Sequence, residues 1–170
     1  MDGAFEVVRA GEDDLPFMMA TERLAGYEAL VGRSSETQHR AFLADGRHAY
    51  FIGRADGRPV GFAVVRDWGS VDGVSLVKRI AVTEPGQGHG SALLCRVIDC
   101  VFTETACWRL AIGLFPENTR ARRTYERAGF LPEGIARGAV FFGGEHRDEQ
   151  VMAMLRPDWE GRLHPKPSRE

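Results

Sequence analysis

In Arg79-Ile80-Ala81-Val82-Thr83-Glu84-Pro85-Gly86-Gln87-Gly88-His89-Gly90-Ser91-Ala92-Leu93-Leu94, an apolar run gives way to closely spaced glycines and then to an amphipathic pattern. That succession reads as a buried strand, a tight turn and the start of a helix. Such a turn gathers backbone N–H groups on an anion, and the positive end of the helix dipole adds to the attraction. Glycines at 86, 88 and 90 remove side chains that would hold a pyrophosphate away. Taken alone, the pattern is either a phosphate site or a glycine-eased helix start. It is not a P-loop, because no Lys-Ser or Lys-Thr follows the glycines. Nor is it Gly-x-Gly-x-x-Gly, because the glycines are evenly spaced and residue 91 is serine.

Working outward, the helix that begins near Gly88 carries Leu94, Val97, Ile98 and Val101 at i, i+3, i+4 and i+7, a buried stripe reaching about Thr105. Arg109–Phe115 reads as a strand. Pro116-Glu117-Asn118 then opens a helix that runs to Ala128, with Gly129 as its C-cap. Upstream of the glycine turn, Val74–Val82 is a strand, and Ala49–Arg54 with Val60–Val65 forms a hairpin around Ala55-Asp56-Gly57. Phe5–Arg9 alternates like a short strand. Asp13 or Asp14 caps a first helix bearing Leu15, Met18, Met19 and Leu24, with Pro16 in its first turn. Ser34-Ser35-Glu36 opens a second helix, closed by Asp45-Gly46. Two last strands, Gly134–Phe142 and Gln150–Leu155, meet at Gly143-Gly144. These elements predict an α/β (α+β) fold with a mixed sheet of six to seven strands flanked by about four helices. Residues 1–170 read as a single domain, and 156–170 as a polar, proline-containing tail laid on the surface or disordered.

The second informative segment is Asn118-Thr119-Arg120-Ala121-Arg122-Arg123-Thr124-Tyr125-Glu126-Arg127-Ala128-Gly129-Phe130. Asn118, Ala121, Arg122 and Tyr125 share one helix face. The glycine turn resembles motif A of the GNAT acetyltransferase superfamily, Gln/Arg-x-x-Gly-x-Gly/Ala after a strand, with Gly88 and Gly90 at the glycine positions. The helix resembles that family's Asn-x-x-Ala…Tyr-x-x-x-Gly-Phe, and the ending Arg147–Pro157 looks like the last strand of members acting on protein N-termini or small amines. Pro85 departs from the pattern at the leading Gln/Arg position, so either one phosphate contact is lost or Gln87 supplies it.

The resemblance, which spans roughly Ala49–Leu155, implies a GNAT fold and a specific chemistry. A primary amine attacks the thioester of acetyl-CoA directly, and a backbone N–H within Ile80-Ala81-Val82 receives the oxyanion. The same edge binds the pantetheine arm as an added strand would. The turn and helix start, Gln87, Gly88, His89, Gly90 and Ser91, hold the pyrophosphate. Tyr125 gives a proton to the leaving thiolate, Asn118 contacts the cofactor arm, and Arg122, with Arg123 beside it, either meets a phosphate or is a solvated helix charge. Many relatives place a Glu on the strand before the turn, but Val74-Ser75-Leu76-Val77-Lys78-Arg79 has none. Glu84, Asp72 and Asp67 are the nearby carboxylates, and a water relay is equally compatible. The acceptor-determining segments are Thr21–Glu28 and Phe141–His146. There Glu22 and Glu28 would attract a cationic amine and Tyr27, Phe141 and Phe142 would form an apolar wall, unless these are charged surface and packing aromatics.

Composition bounds the remaining classes. The 170 residues are 44% hydrophobic and 27% charged, with a formal net charge of −2, which gives no sign of a nucleic-acid-binding face. No apolar run is of membrane-spanning length and the N-terminus does not read as a signal peptide, so a cytoplasmic protein is expected. Cys95, Cys100 and Cys107 suit neither a disulfide nor a shared metal and read as buried apolar thiols, and the histidines show no metal-ligand spacing. No metal is expected. The acceptor amine, of a small molecule or a protein N-terminus, is not legible, and a homodimer is expected because dimers are common in the family. A non-catalytic acyl-CoA-binding or sensing module is the alternative reading, suggested by Pro85 and the missing strand carboxylate and opposed by Tyr125; a purely structural glycine turn in an interaction domain is the third.

Overall fold

The computed structural model describes residues 4–163. A seven-stranded sheet runs through it in the order β1-β2-β3-β4-β5-β7-β6. The chain enters through β1 (Phe5–Arg9), a 3-10 turn at Glu12–Asp14, α1 (Leu15–Glu22) and α2 (Glu36–Ala44). Three antiparallel strands follow: β2 (His48–Ala55), β3 (Arg58–Arg66) and β4 (Val74–Val82). The second half is α3 (His89–Glu104), β5 (Arg109–Leu114), α4 (Thr119–Ala128), β6 (Leu131–Phe142), β7 (Glu145–Leu155) and α5 (Arg156–Leu163). Among the described residues only β4 and β5 pair in parallel, as the α3 crossover between them requires.

Helices cover both faces of the sheet, which explains the unbroken apolar run in β3: Phe62 and Val64 face α1, while Ala63 and Val65 face α3. The expected stripe of α3 is buried through Leu93, Leu94, Val97, Ile98, Val101 and Phe102. Each such side chain contributes roughly 1.5–3 kcal/mol of transfer free energy before ordering entropy is subtracted. The helix is therefore fixed on the sheet, and the glycine turn before it is fixed with it. On the opposite face, Leu15 and Met18 of α1 pack on Tyr50, Ile52, Phe62, Val64 and Ala81.

Two sequence expectations are corrected. The helix α1 stops at Glu22, so Leu24 is not part of its apolar stripe, and the face is completed by buried Thr21 and Glu22. Composition alone leaves Arg156 onward as a tail, but Arg156–Leu163 forms α5. One aromatic anchors it: Trp159 stacks on Phe102 with ring centroids 5.4 Å apart and donates its Nε1–H to Asp99 Oδ1 at 2.8 Å. Pro157 lies in the first turn, where its missing N–H costs no helical hydrogen bond. The rest of the expected tail, residues 164–170, lies outside the described residues. Of the cysteines, Cys107 is buried, whereas Cys95 and Cys100 are half-buried.

Candidate active site

The site is built where β4 and β5 part. Their pairing runs from Val74↔Arg109 to Val77↔Ile112 and stops there. Pairing of β4 with β3 continues to Val82, through a bulge at Lys78 that sets Val65 opposite Val77 and Val64 opposite Arg79. The extra residue places Lys78 and Arg79 on the same face: Lys78 lies over the Phe42 ring of α2, and Arg79 meets Glu22 of α1 at 2.6 Å. Beyond the bulge, β4 has an edge with no strand beside it.

Strand alternation decides which backbone groups line that edge. Thr83 donates its N–H to Val60 of β3, so Thr83 and Ala81 turn their peptide groups toward β3, and Ile80 and Val82 turn theirs outward. Of the three residues expected to supply an oxyanion donor, Ala81 is thus directed away from the opening, with its side chain packed on the α1 face. The outward groups of Val82 are held by Tyr27, from the α1–α2 connection. Its hydroxyl donates to the Val82 carbonyl at 2.7 Å and accepts from the Val82 N–H at 3.3 Å. A residue expected only to wall the acceptor pocket therefore sits on the backbone pair itself.

The glycine turn continues from this edge. Gly86 and Gly88 have φ of +93° and +82°, a conformation that side chains rarely adopt. Gly88 is the N-cap of α3, and no side chain caps that helix. The first N–H groups of α3, from His89, Gly90 and Ser91, have no intrahelical acceptor by geometry and point toward the turn. Gly90 has ordinary helical backbone, and a Cβ there would lie 3.9 Å from Val82 Cγ1, so its glycine is not enforced by conformation. The His89 ring turns away and stacks on Phe5 with centroids 6.2 Å apart, leaving its N–H as the group that faces the turn. Gln87 is exposed beside Gly88.

From α4, Tyr125 is buried in the core on the α3 side, with its ring 6.3 Å from that of Phe130. Burial pushes its phenol up to about 12, so it carries its proton at any physiological pH. The side chain of Asn118 caps α4, its Oδ1 accepting from the Ala121 N–H at 3.1 Å, which leaves the amide NH₂ for other partners. Arg122 is engaged by Glu126 at 2.8 Å along the helix surface. The guanidinium leaning over the turn is that of Arg120, with Nη2 3.7 Å from the position of a Cβ on Gly86. Arg120 lies two residues before Arg122 in the same helix, and only the packing of α4 against α3 distinguishes the two.

On the opposite face of the sheet the acceptor-side expectations change more. Glu22 is fully buried and bound by the Ser34 N–H at 3.1 Å, Arg23 at 2.6 Å, Arg79 at 2.6 Å and His39 at 3.3 Å. Burial raises its pKa, but the His39 hydrogen bond, the Ser34 N–H and the Arg79 charge together outweigh that, and the carboxyl lies below the ordinary range. Glu22 thus ties α1 and α2 to the β4 bulge and is not presented to an acceptor. Phe142 packs on Phe115 with centroids 5.2 Å apart, while Phe141 is exposed. Arg147 of β7 lies 3.6 Å over the Phe115 ring, donates to the Ala29 carbonyl at 3.1 Å and pairs with Glu117. Asp67 and Asp72 fall at the start of β4, the end away from the opening, and Asp67 pairs with Arg66.

Comparison with known proteins agrees with this geometry. The sequence matches the acetyltransferase (GNAT) family over residues 17–130. It is 31% identical over 132 residues to the probable N-acetyltransferase YjcK of Bacillus subtilis, covering 75% of this chain and 72% of that protein. A variant of the spermidine N-acetyltransferase SpeG from Vibrio cholerae shares the fold with a TM-score of 0.80 at 18% identity, over 94% of this chain and 98% of that one. The ribosomal L7/L12 alpha-N-protein acetyltransferase RimL, in complex with coenzyme A, does so with a TM-score of 0.75 at 16% identity, over 89% and 93%. At such identities the two structures speak to fold. The family match takes in both the glycine turn and α4, and on that ground the chain belongs to the acetyltransferase (GNAT) family and is an N-acetyltransferase.

Proposed function

We propose that the chain transfers the acetyl group of acetyl-CoA to a primary amine, of a small molecule or a protein N-terminus, by direct attack of the amine on the thioester. One observation carries the reading: the edge of β4 that no strand covers, closed at Val82 only by the Tyr27 hydroxyl, runs into a helix N-terminus that no side chain caps. An edge with outward N–H and C=O groups at Ile80 and Val82 matches an amide-bearing pantetheine arm, and free N–H groups at His89, Gly90 and Ser91 match a pyrophosphate. Arg120 adds a positive charge over the same turn.

The Ile80 and Val82 N–H groups are the donors for the oxyanion, their backbone fixed by the β3 pairing on the other side, once the Tyr27 hydroxyl gives up the Val82 N–H. Tyr125 holds its proton until sulfur departs. A thiolate whose thiol titrates near 8.5 in water is a weaker base than the buried phenolate, whose phenol lies near 12, but burial also disfavours a bare thiolate, which narrows that gap at the moment of C–S cleavage. The cysteine thiols, none of them in a disulfide, fit a reducing, cytoplasmic setting.

Titration calorimetry with acetyl-CoA, followed by thiol-release assays with spermidine and with a peptide bearing a free N-terminus, tests this reading. Micromolar binding and release of thiol with an amine are expected. Absence of binding below millimolar acetyl-CoA would remove it.

A further inference from the structure

The attacking amine must lose a proton, and β4 offers no carboxylate for it. Across the opening, β7 does. Glu149 lies on the sheet face that carries α1 and α2, the face opposite Tyr125, as the pairing of Val151 with Gly113 and of Gln150 with Leu114 dictates. Its carboxylate rests directly on Gly113, in the volume a Cβ there would occupy, so residue 113 must be glycine for the carboxylate to lie where it does. Gly113 is the first residue of β5 beyond the last β4–β5 pair, Val77↔Ile112. The carboxylate therefore sits at the mouth of the opening, beside the outward edge of β4.

We propose that Glu149 is the general base of the transfer. The assignment rests on the N-acetyltransferase reading above and adds to it the group that reading lacks. Among the described residues no side-chain hydrogen bond or ion pair engages Glu149, and burial holds its carboxyl above the ordinary range against a lowering pull from Arg66. The cations that β3, β4, β5 and β7 place on this face each have another partner: Arg66 has Asp67, Lys78 the Phe42 ring, Arg79 Glu22, Arg109 Glu133 and Arg147 Glu117. A structural carboxylate in such company would be paired; this one is half-buried and free to meet an incoming ammonium.

The proton and electron accounting closes. The acceptor ammonium gives one proton to the Glu149 carboxylate, which returns it to solvent on its exposed side. The nitrogen lone pair then forms the C–N bond, and the carbonyl π pair moves onto oxygen, held by the Ile80 and Val82 N–H groups. Re-forming C=O breaks the C–S bond, the electron pair leaves on sulfur, and Tyr125 protonates it. The second proton of the attacking nitrogen leaves to water, and water restores the phenol. Glu149 and Tyr125 thus act from opposite faces of the sheet.

The test uses Glu149→Gln, which keeps shape and fold, with two small acceptors. n-Propylamine is an alkylammonium at neutral pH, whereas hydroxylamine is unprotonated there and needs no base for attack. Expected results are acetyl-CoA affinity within about twofold of the unaltered protein and kcat/KM for n-propylamine down about 100-fold or more, with hydroxylamine down less than about threefold. Gly113→Ala, whose Cβ displaces the carboxylate, should reproduce the same selectivity. Unchanged n-propylamine turnover, or equal losses with both acceptors, would overturn the assignment, as would loss of acetyl-CoA affinity confined to Glu149→Gln. Absence of acetyl-CoA binding by the unaltered protein would instead sink the N-acetyltransferase reading beneath it.

Discussion

The two faces of the β4–β5 opening are built by different means. On the α3–α4 face the site is made from backbone and apolar packing: an outward strand edge, an uncapped helix start, and a phenol among core side chains. On the α1–α2 face it is made from polar and charged side chains: Glu22, His39 and Arg79 locked under two short helices, and Glu149, unpaired among the described residues, above Gly113. The first face offers fixed dipoles and a reluctant acid to a large anionic ligand. The second keeps its ion network sealed and leaves one half-buried carboxylate, Glu149, for whatever amine arrives. A cofactor common to a family can be met by a common backbone, and acceptor chemistry is left to side chains that chains of the same fold need not share.

The largest expected effect lies on the first face. Tyr125→Phe should lower kcat by about 10²–10⁴ while leaving acetyl-CoA affinity within a few-fold, because the role proposed for the hydroxyl is on departing sulfur and not in binding. Single-turnover thiol release measures this, and an unchanged rate would remove Tyr125 from proton transfer. The matching test on the second face concerns stability. Glu22→Gln leaves Arg79, only 10% exposed, without its counter-charge, and a loss of about 3 kcal/mol in urea unfolding at neutral pH is expected. The sign with pH follows from the depressed carboxyl. Its contribution is fully present above the unfolded carboxyl value near 4.5 and is lost as pH falls through the lower folded value. The gap between the unaltered protein and the variant should therefore close in acid, and a gap that widened there would contradict the Glu22 assignment.

These two faces also differ in how far the sequence disclosed them. The helix stripe of α3, the glycine turn and the Asn118–Tyr125 face are local patterns, set by residues a few positions apart, and each is found where spacing places it. The strand pairings followed from them. What spacing cannot carry is contact between distant segments. Tyr27 reaches Val82 across 55 positions, Glu22 reaches Arg79 across 57, and Arg147 reaches Ala29 across 118. Glu22 and Glu28 look alike as acidic residues in one stretch, yet the first is sealed in an ion network and the second is exposed. Arg120 and Arg122 look alike too, and only helix packing brings one over the turn while Glu126 takes the other. Glu149 gave no local signal, since its meaning comes from a glycine on the neighbouring strand. The helix α5 is not legible because its anchors are distant contacts of a mostly polar segment: Trp159 on Phe102, and Arg156 on the Thr105 and Cys107 carbonyls.

That arginine distinction can be sharpened. Arg120→Ala should weaken acetyl-CoA binding about tenfold, the scale of one charge-assisted contact to phosphate, and should steepen with falling salt. Arg122→Ala removes only a surface i, i+4 pair and should leave affinity within about twofold. Calorimetry on both variants decides it, and a larger loss at Arg122 would reverse the placement of the phosphate over Gly86.

The smallest expected effect is the one that joins the two faces. The Tyr27 hydroxyl comes from the acceptor side, yet it occupies the Val82 N–H and C=O that the thioester arm would use. If the phenol stands in for the ligand, binding must first break both of its hydrogen bonds, which together contribute about 1 kcal/mol net, the low end of the usual range because one of them is 3.3 Å long. Tyr27→Phe then frees the edge in advance and should tighten acetyl-CoA binding about three- to tenfold, while stability falls by about 1 kcal/mol. A variant that binds more weakly would show the opposite, that the hydroxyl swings onto the ligand and is part of its cradle. Either result ties the α1–α2 connection to the cofactor edge, and the same connection carries Ala29, the partner of Arg147 two residues from Glu149 on β7, so one segment touches both faces of the opening.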